Sequence, residues 1–232
     1  MEHKICENIS EIKVEVNCGK IYFMRSEDHR IKVVVPDIID ESVRILSHGN
    51  RLSVKYTSQR QAEIQIYLPE VFNNIKVISD SCKLSFENIE FNEADITSGG
   101  NIIMKDIIIN KNCYVNAENS FVRMFMCSIR SMNAQLFNSN LEFIGTVLYG
   151  NNVVYIVNGN VEGTLKGALV DYVISAGSGV DPDNIIVNDH FLSEFPKRKN
   201  VQNCAWLLLA GSLSSTARIK IVKPKISILG KH

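Results

Sequence analysis

The chain has almost no net charge: Lys plus Arg and Asp plus Glu number 25 each. A balanced chain sets up no field to draw in nucleic acid or anionic lipid, so no nucleic-acid partner is expected. Among 232 residues there are only thirteen Gly, five Pro and one Trp, Trp206, which excludes collagen-like and Pro/Gly-rich low-complexity classes. The six cysteines, Cys6, Cys18, Cys82, Cys113, Cys127 and Cys204, form no C-x-x-C pair and no Cys/His spacing of a zinc site. They read as reduced core thiols, with disulfides still open because the number is even. His3, His29, His48, His190 and His232 are scattered, with no pair at metal spacing, so neither a metal nor a cofactor is expected. No run approaches 18 consecutive apolar residues, and no transmembrane segment is expected. Met1-Glu2-His3-Lys4-Ile5-Cys6-Glu7 lacks an apolar h-region, so the chain as given reads as cytoplasmic.

What is present is alternation. The chain is 45% hydrophobic, enough for a sizeable core. Short alternating runs occupy 12–16, 21–25, 31–35, 43–47, 52–56 and 63–68, the pattern of half-buried strands. His48-Gly49-Asn50 reads as a hairpin turn between two of them. Asn is frequent, 23 residues, and because Asn tolerates left-handed backbone this implies many tight turns.

From residue 72 a spacing of about 19 residues recurs: Ile75-x-Val77, Ala94-x-Ile96, Cys113-x-Val115, Met132-x-Ala134, Val153-x-Tyr155 and Tyr172-x-Ile174. A second apolar pair follows each: Leu84 and Phe86, Ile102 and Met104, Val122 and Met124, Leu141 and Phe143, Val161 and Gly163. Units this short cannot close their own cores, so they must stack. The fold expected is all-β, a right-handed parallel β-helix or solenoid of about 19-residue coils. It is expected as one domain over 1–232: opening strands at 1–70, regular coils at 71–176, and at 177–232 an irregular segment and a C-terminal capping strand pair. A β-sandwich of antiparallel hairpins is the alternative.

The opening strand Ile12-Lys13-Val14-Glu15-Val16, the strand ending Ile64-Gln65-Ile66-Tyr67-Leu68-Pro69 and the small-residue turns before alternating strands resemble the bacterial "putative adhesin" domain family, kin to GIN-domain adhesin-like proteins. The resemblance covers roughly 8–222. The family's Ser-Gly-Asp type turn is replaced here by Gly100-Asn101, Ser139-Asn140 and Gly159-Asn160, with Cys82-Lys83 and Ser120-Phe121 as departures. It implies a β-helical fold without assigned catalytic residues and, for some members, a tie to the cell envelope.

Within the expected register, Ser85, Ile103, Arg123, Glu142 and Glu162 form one outward column. Glu142 and Glu162 would lie roughly 5 Å apart, the separation of paired carboxylates in retaining glycosidases. A carbohydrate-active enzyme, a glycoside hydrolase or lyase using these two, is therefore the alternative reading; against it, stacked Glu beside Arg123 form an ordinary solvated ion-pair ladder. Asp181, Asp183 and Asp189 lack the ordered ligand alternation of a calcium loop, Gly177-Ser178-Gly179 lacks the nucleophile-elbow pattern, and Lys197-Arg198-Lys199 is too short a basic run to argue nucleic acid. Ile103, Arg123 and Phe125 mark a candidate binding surface. The function expected is a non-enzymatic interaction or scaffold module with a protein or glycan partner, or self-association as a homo-oligomer.

Overall fold

The computed structural model describes residues 2–5, 8–36, 42–165, 170–176, 185–187, 190–191, 205–211 and 218–222. Regular elements among them are all strands. In chain order they are β1 (Glu2–Ile5), β2 (Glu11–Arg25), β3 (Ile31–Val34), β4 (Val43–His48), β5 (Arg51–Tyr56), β6 (Ala62–Leu68), β7 (Val71–Glu87), β8 (Glu90–Ser98), β9 (Ile102–Lys105) and β10 (Ile108–Glu118). There follow β11 (Phe121–Phe125), β12 (Ser128–Phe137), β13 (Asn140–Leu148), β14 (Asn151–Val157), β15 (Asn160–Leu165), β16 (Val170–Ala176), β17 (Ile185–Val187), β18 (His190–Phe191), β19 (Ala205–Gly211) and β20 (Arg218–Val222). Alternation decides the strands: in β5, Leu52, Val54 and Tyr56 are buried, while Arg51 and Lys55 are exposed.

The expectation of an open right-handed β-helix is corrected. The parallel strands close around one core as a seven-strand parallel β-barrel with extra strands outside it. One series of seven runs β5–β2–β7–β8–β10–β12–β14. The strands bend, and their continuations pair as a second series, β6–β2–β7–β9–β11–β13–β15, so that the two series wall the same interior. Outside lie antiparallel strands: β4 on β5, β3 on β6, and β1 on β3.

Chain order is not stacking order, and this undoes the expected opening region and cap. β2 does not precede the stack but lies between β5 and β6 on one edge and β7 on the other. At the far end β19 and β20 do not cap it: β19 sits between β14 and β16, and β20 between β15 and β17. A repeat array laid coil on coil would put both terminal segments at its ends. The 19-residue spacing is the offset between parallel partners, as in Ile75↔Ala94, Ala94↔Cys113 and Cys113↔Met132.

One partner was misplaced by the pattern. Met132 pairs with Asn152 and Ala134 with Val154, so Val153 and Tyr155 face outward and Val154 and Ile156 are buried. Asn152 settles this, because its buried Oδ1 accepts the Met132 N–H at 2.9 Å and its Nδ2 donates to the Tyr149 carbonyl at 3.0 Å. Shifting the strand by one residue against β12 would break the bond to Met132 and turn every side chain over.

The corners explain the Asn content. Asn119, Asn138 and Asn158 occupy one corner at φ of 52°, 49° and 52°, a left-handed conformation that Asn reaches cheaply. Their amides stack: Asn138 Nδ2 donates to Asn119 Oδ1 at 3.3 Å, and Asn158 Nδ2 to Asn138 Oδ1 at 3.2 Å. A second corner holds Asn88, Asp106, Met126 and Gly145, again all at positive φ. Gly163 is required for a different reason. At φ 140° beside Phe143, a Cβ would stand 2.0 Å from the Phe143 carbonyl oxygen.

The interior is filled by columns that run across the ladders. Ile21, Leu84, Ile102, Val122, Leu141 and Val161 form one; Phe23 and Phe86 in the next stack at 4.5 Å between ring centres, with Phe91 edge-on to Phe86 at 6.4 Å. Buried hydroxyls are paired: Ser79 and Ser98 lie 2.8 Å apart, and Thr146 donates to the Met124 carbonyl at 2.8 Å. Cys82, Cys113 and Cys127 are buried free thiols. Burial pushes their pKa up to about 12, 12 and 11, which leaves them poor nucleophiles. Cys6 and Cys204 lie outside the described residues, as do Gly177-Ser178-Gly179, Asp181, Asp183, Asp189 and Lys197-Arg198-Lys199.

Candidate functional site

Parallel register fixes which side chains share an outward column, because residues in line on neighbouring strands point the same way. Ser85 pairs with Ile103, Ile103 with Arg123, Arg123 with Glu142 and Glu142 with Glu162. Phe125 stands two residues beyond Arg123 on the same face, between Lys105 and Ile144. The five residues singled out from the sequence, Ile103, Arg123, Phe125, Glu142 and Glu162, are thus brought onto one face.

Arg123 dominates that face. Its Nε donates to Glu142 Oε2 at 2.6 Å, and its guanidinium lies 5.0 Å from the Phe121 ring centre. Glu142 is half-buried and engaged by this cation, while Glu162 is exposed in the next strand with Lys220 in register beyond it. The pair therefore offers one carboxylate engaged by a guanidinium and one open to solvent. Phe125 and Met126 are exposed at the edge of the same face, at 37% and 44%.

A second outward surface was missed by the sequence pattern. It is carried by β10, β12 and β14, where Tyr114 pairs with Asn133, Asn116 with Gln135, and Gln135 with Tyr155. Tyr114 and Phe137 are exposed, Tyr155 is half-buried, and the Phe137 and Tyr155 rings meet at 6.4 Å with their planes 64° apart. Placing Tyr155 in the core hid this cluster; the signal that would have found it is Asn152, a buried amide able to cap a neighbouring strand. A third place is an open depression of about 500 Å³ beside the β4–β5 hairpin, lined by Ser42, Arg44, Lys55, Thr57 and Ser58. Among the described residues no three His, Cys, Asp or Glu side chains come together as a metal site requires, and no helix is long and apolar enough to cross a membrane.

The shape of the whole chain has counterparts among solved structures. A protein of Parabacteroides merdae named as a putative adhesin superposes with a TM-score of 0.51 at 11% identity, over 97% of this chain and 96% of its own. The two chains share a fold. A putative adhesin of Bacteroides fragilis matches at TM-score 0.47 and 12% identity, and a putative lipid binding protein of Parabacteroides distasonis at 0.43 and 12%, each over 97% of this chain and 96% of the other. No family model matches the sequence, and no curated protein does. The shared fold positions outward ladders but assigns them no chemistry.

Proposed function

We propose that the chain is a non-enzymatic interaction module of the adhesin type, acting through its outward faces and associated with the cell envelope. The observation that carries this reading is the set of large side chains left exposed on the parallel faces and, with Met126, at their edge, among them Tyr114, Phe125 and Phe137. Stacked strands hold such groups at a fixed pitch of about 4.8 Å, an arrangement suited to extended contact. The resemblance of 12–16 and 64–69 to the putative adhesin and GIN-domain proteins supports the envelope tie. The alternative, a carbohydrate-active enzyme, rests on Glu142 and Glu162 being adjacent in register.

The two readings separate in one experiment. Wild-type protein and a Glu142→Gln, Glu162→Gln variant are incubated with isolated bacterial envelopes, and both bound protein and newly released reducing sugar ends are measured. Binding by both proteins without sugar release supports the module. Release by the wild type that vanishes in the variant would establish the enzyme instead.

A further inference from the structure

We infer that the outward face of β10, β12 and β14 is a binding platform for a neutral glycan, an assignment that rests on the binding reading and names its ligand class. Three observations on this face converge. Along 114–118, 133–137 and 153–157 the only charged side chain is Glu118, at one margin, so the middle of the face is matched to an uncharged ligand and offers no cation to a polyanion or an acidic peptide. Aromatic rings are displayed there: exposed Tyr114 on one strand, and half-buried Tyr155 braced by Phe137 two strands away. The π-face of an aromatic ring is electronegative and attracts the polarised C–H groups that line one side of a pyranose ring.

The third observation concerns the amides between the rings. Several surface amides are tied to neighbours, Asn92 to Asn73 at 2.8 Å, Asn110 to Glu90 at 2.6 Å, Asn112 to Glu93 at 3.2 Å and Asn160 to Asn140 at 2.9 Å, whereas others among the described residues, such as Gln59, Gln61 and Asn88, stand free singly between strands. Asn116, Asn133 and Gln135 are exposed and make no side-chain hydrogen bond among the described residues, although Asn116 and Gln135 are partners in register. Each offers a donor pair and an acceptor to solvent, the complement of vicinal sugar hydroxyls. Tyr114 and Tyr155 are separated by two strand spacings and two residues along the strand, roughly 12 Å on a regular ladder. The platform therefore spans a short oligosaccharide laid diagonally, with rings at its ends and amides in the middle.

The test is isothermal titration calorimetry of the full chain with short cello-, manno- and chito-oligosaccharides, and with a heparin oligosaccharide as the anionic arm. At least one neutral series is expected to bind, and Tyr114→Ala and Gln135→Ala are each expected to weaken it by about tenfold, equivalent to about 1.4 kcal/mol. Both positions are exposed, so the variants fold; Lys13→Ala, on the ion-paired part of the same side, should bind as wild type does. Binding of heparin alone, no binding of any neutral series, or neutral binding indifferent to both variants would each overturn the platform. So would a dimer that is dissolved by Tyr114→Arg, since the face would then belong to a second copy. Envelope binding that survives Tyr114→Ala together with Gln135→Ala overturns this face alone and leaves the module reading standing.

Discussion

The same side of the molecule is built in two ways. Around β5, β2, β7 and β8 most of its outward positions are charged, and many of these are paired, Ser53, Ile78 and Thr97 aside: Glu11 with Arg51 at 2.8 Å, Lys76 with Asp95 at 2.5 Å, and Glu15 with both Lys13 and Lys55. Around β10, β12 and β14 the same columns carry Tyr114, Asn133, Asn116, Gln135 and Tyr155. Lys76, Asp95 and Tyr114 are consecutive members of one column, so the change falls within a single ladder. The interior does not change with it, since both parts rest on the same aliphatic and aromatic columns. Stability and surface chemistry are therefore set independently, and a fold held from within leaves its outside available for recognition.

If that separation holds, truncating core side chains should not tell the two halves apart. Ile96→Ala, on the inward side of β8 in the ion-paired half, and Leu136→Ala, on the inward side of β12 in the aromatic half, are each expected to lose about 2–5 kcal/mol in urea denaturation. A loss confined to one of them would show that the halves differ inside as well as outside. The corners come next. Asn138→Ala should cost about 1–2 kcal/mol, because Ala at φ 49° is strained and the amide stack is cut. Met126→Gly should stabilise by about 1 kcal/mol by relieving the same strain at φ 54°, and a destabilised Met126→Gly would refute the argument.

Acid should act on the charged half. The hydrogen bond from Lys13 and the charges of Lys13 and Lys55 hold the Glu15 carboxyl below its usual pKa. Asp28, hydrogen-bonded by Ser26 and Lys32, is depressed further. A carboxyl whose folded pKa is lowered contributes stability above its unfolded pKa and loses it as pH falls through the folded value, so the loss should lie below about pH 4. Glu15→Gln should flatten part of that acid limb in a pH series of thermal melts. The smallest effects are at the surface: Lys76→Ala should change stability by less than about 1 kcal/mol and by less still in 1 M salt. Gln135→Ala should stay within about 0.5 kcal/mol at any salt, although it impairs glycan binding.

Strand positions could be read from the sequence because alternation is local, and the expected run 52–56 falls within Arg51–Tyr56. The offset between parallel partners was equally legible, because Ile75, Ala94 and Cys113 repeat it without insertion. Closure and strand order were not. Whether β2 lies at the end of a stack or one place inside it depends on contacts with β5, β6 and β7, and nothing within 11–25 records them. The slip at β14 was hidden because Val153-x-Tyr155 and Val154-x-Ile156 alternate equally well, and only the bond from the Met132 N–H to Asn152 chooses between them. That choice also decided the candidate face, since Tyr155 reads as core in one register and as surface in the other. Arg123, Glu142 and Glu162 fell into line because their strands keep step.

The interleaving of β2 has a mechanical consequence. A tether on the segment before Glu11 would pull along a strand that is hydrogen-bonded on both edges to parallel neighbours. Tension along such a strand strains many ladder bonds at once in shear, whereas an outermost strand would peel away bond by bond. At the other end β19 and β20 are gripped in the same manner between β14 and β16 and between β15 and β17. Once β1 has parted from β3, the body resists as a splice does, with β2 at one end and β19 and β20 at the other each held between two neighbours.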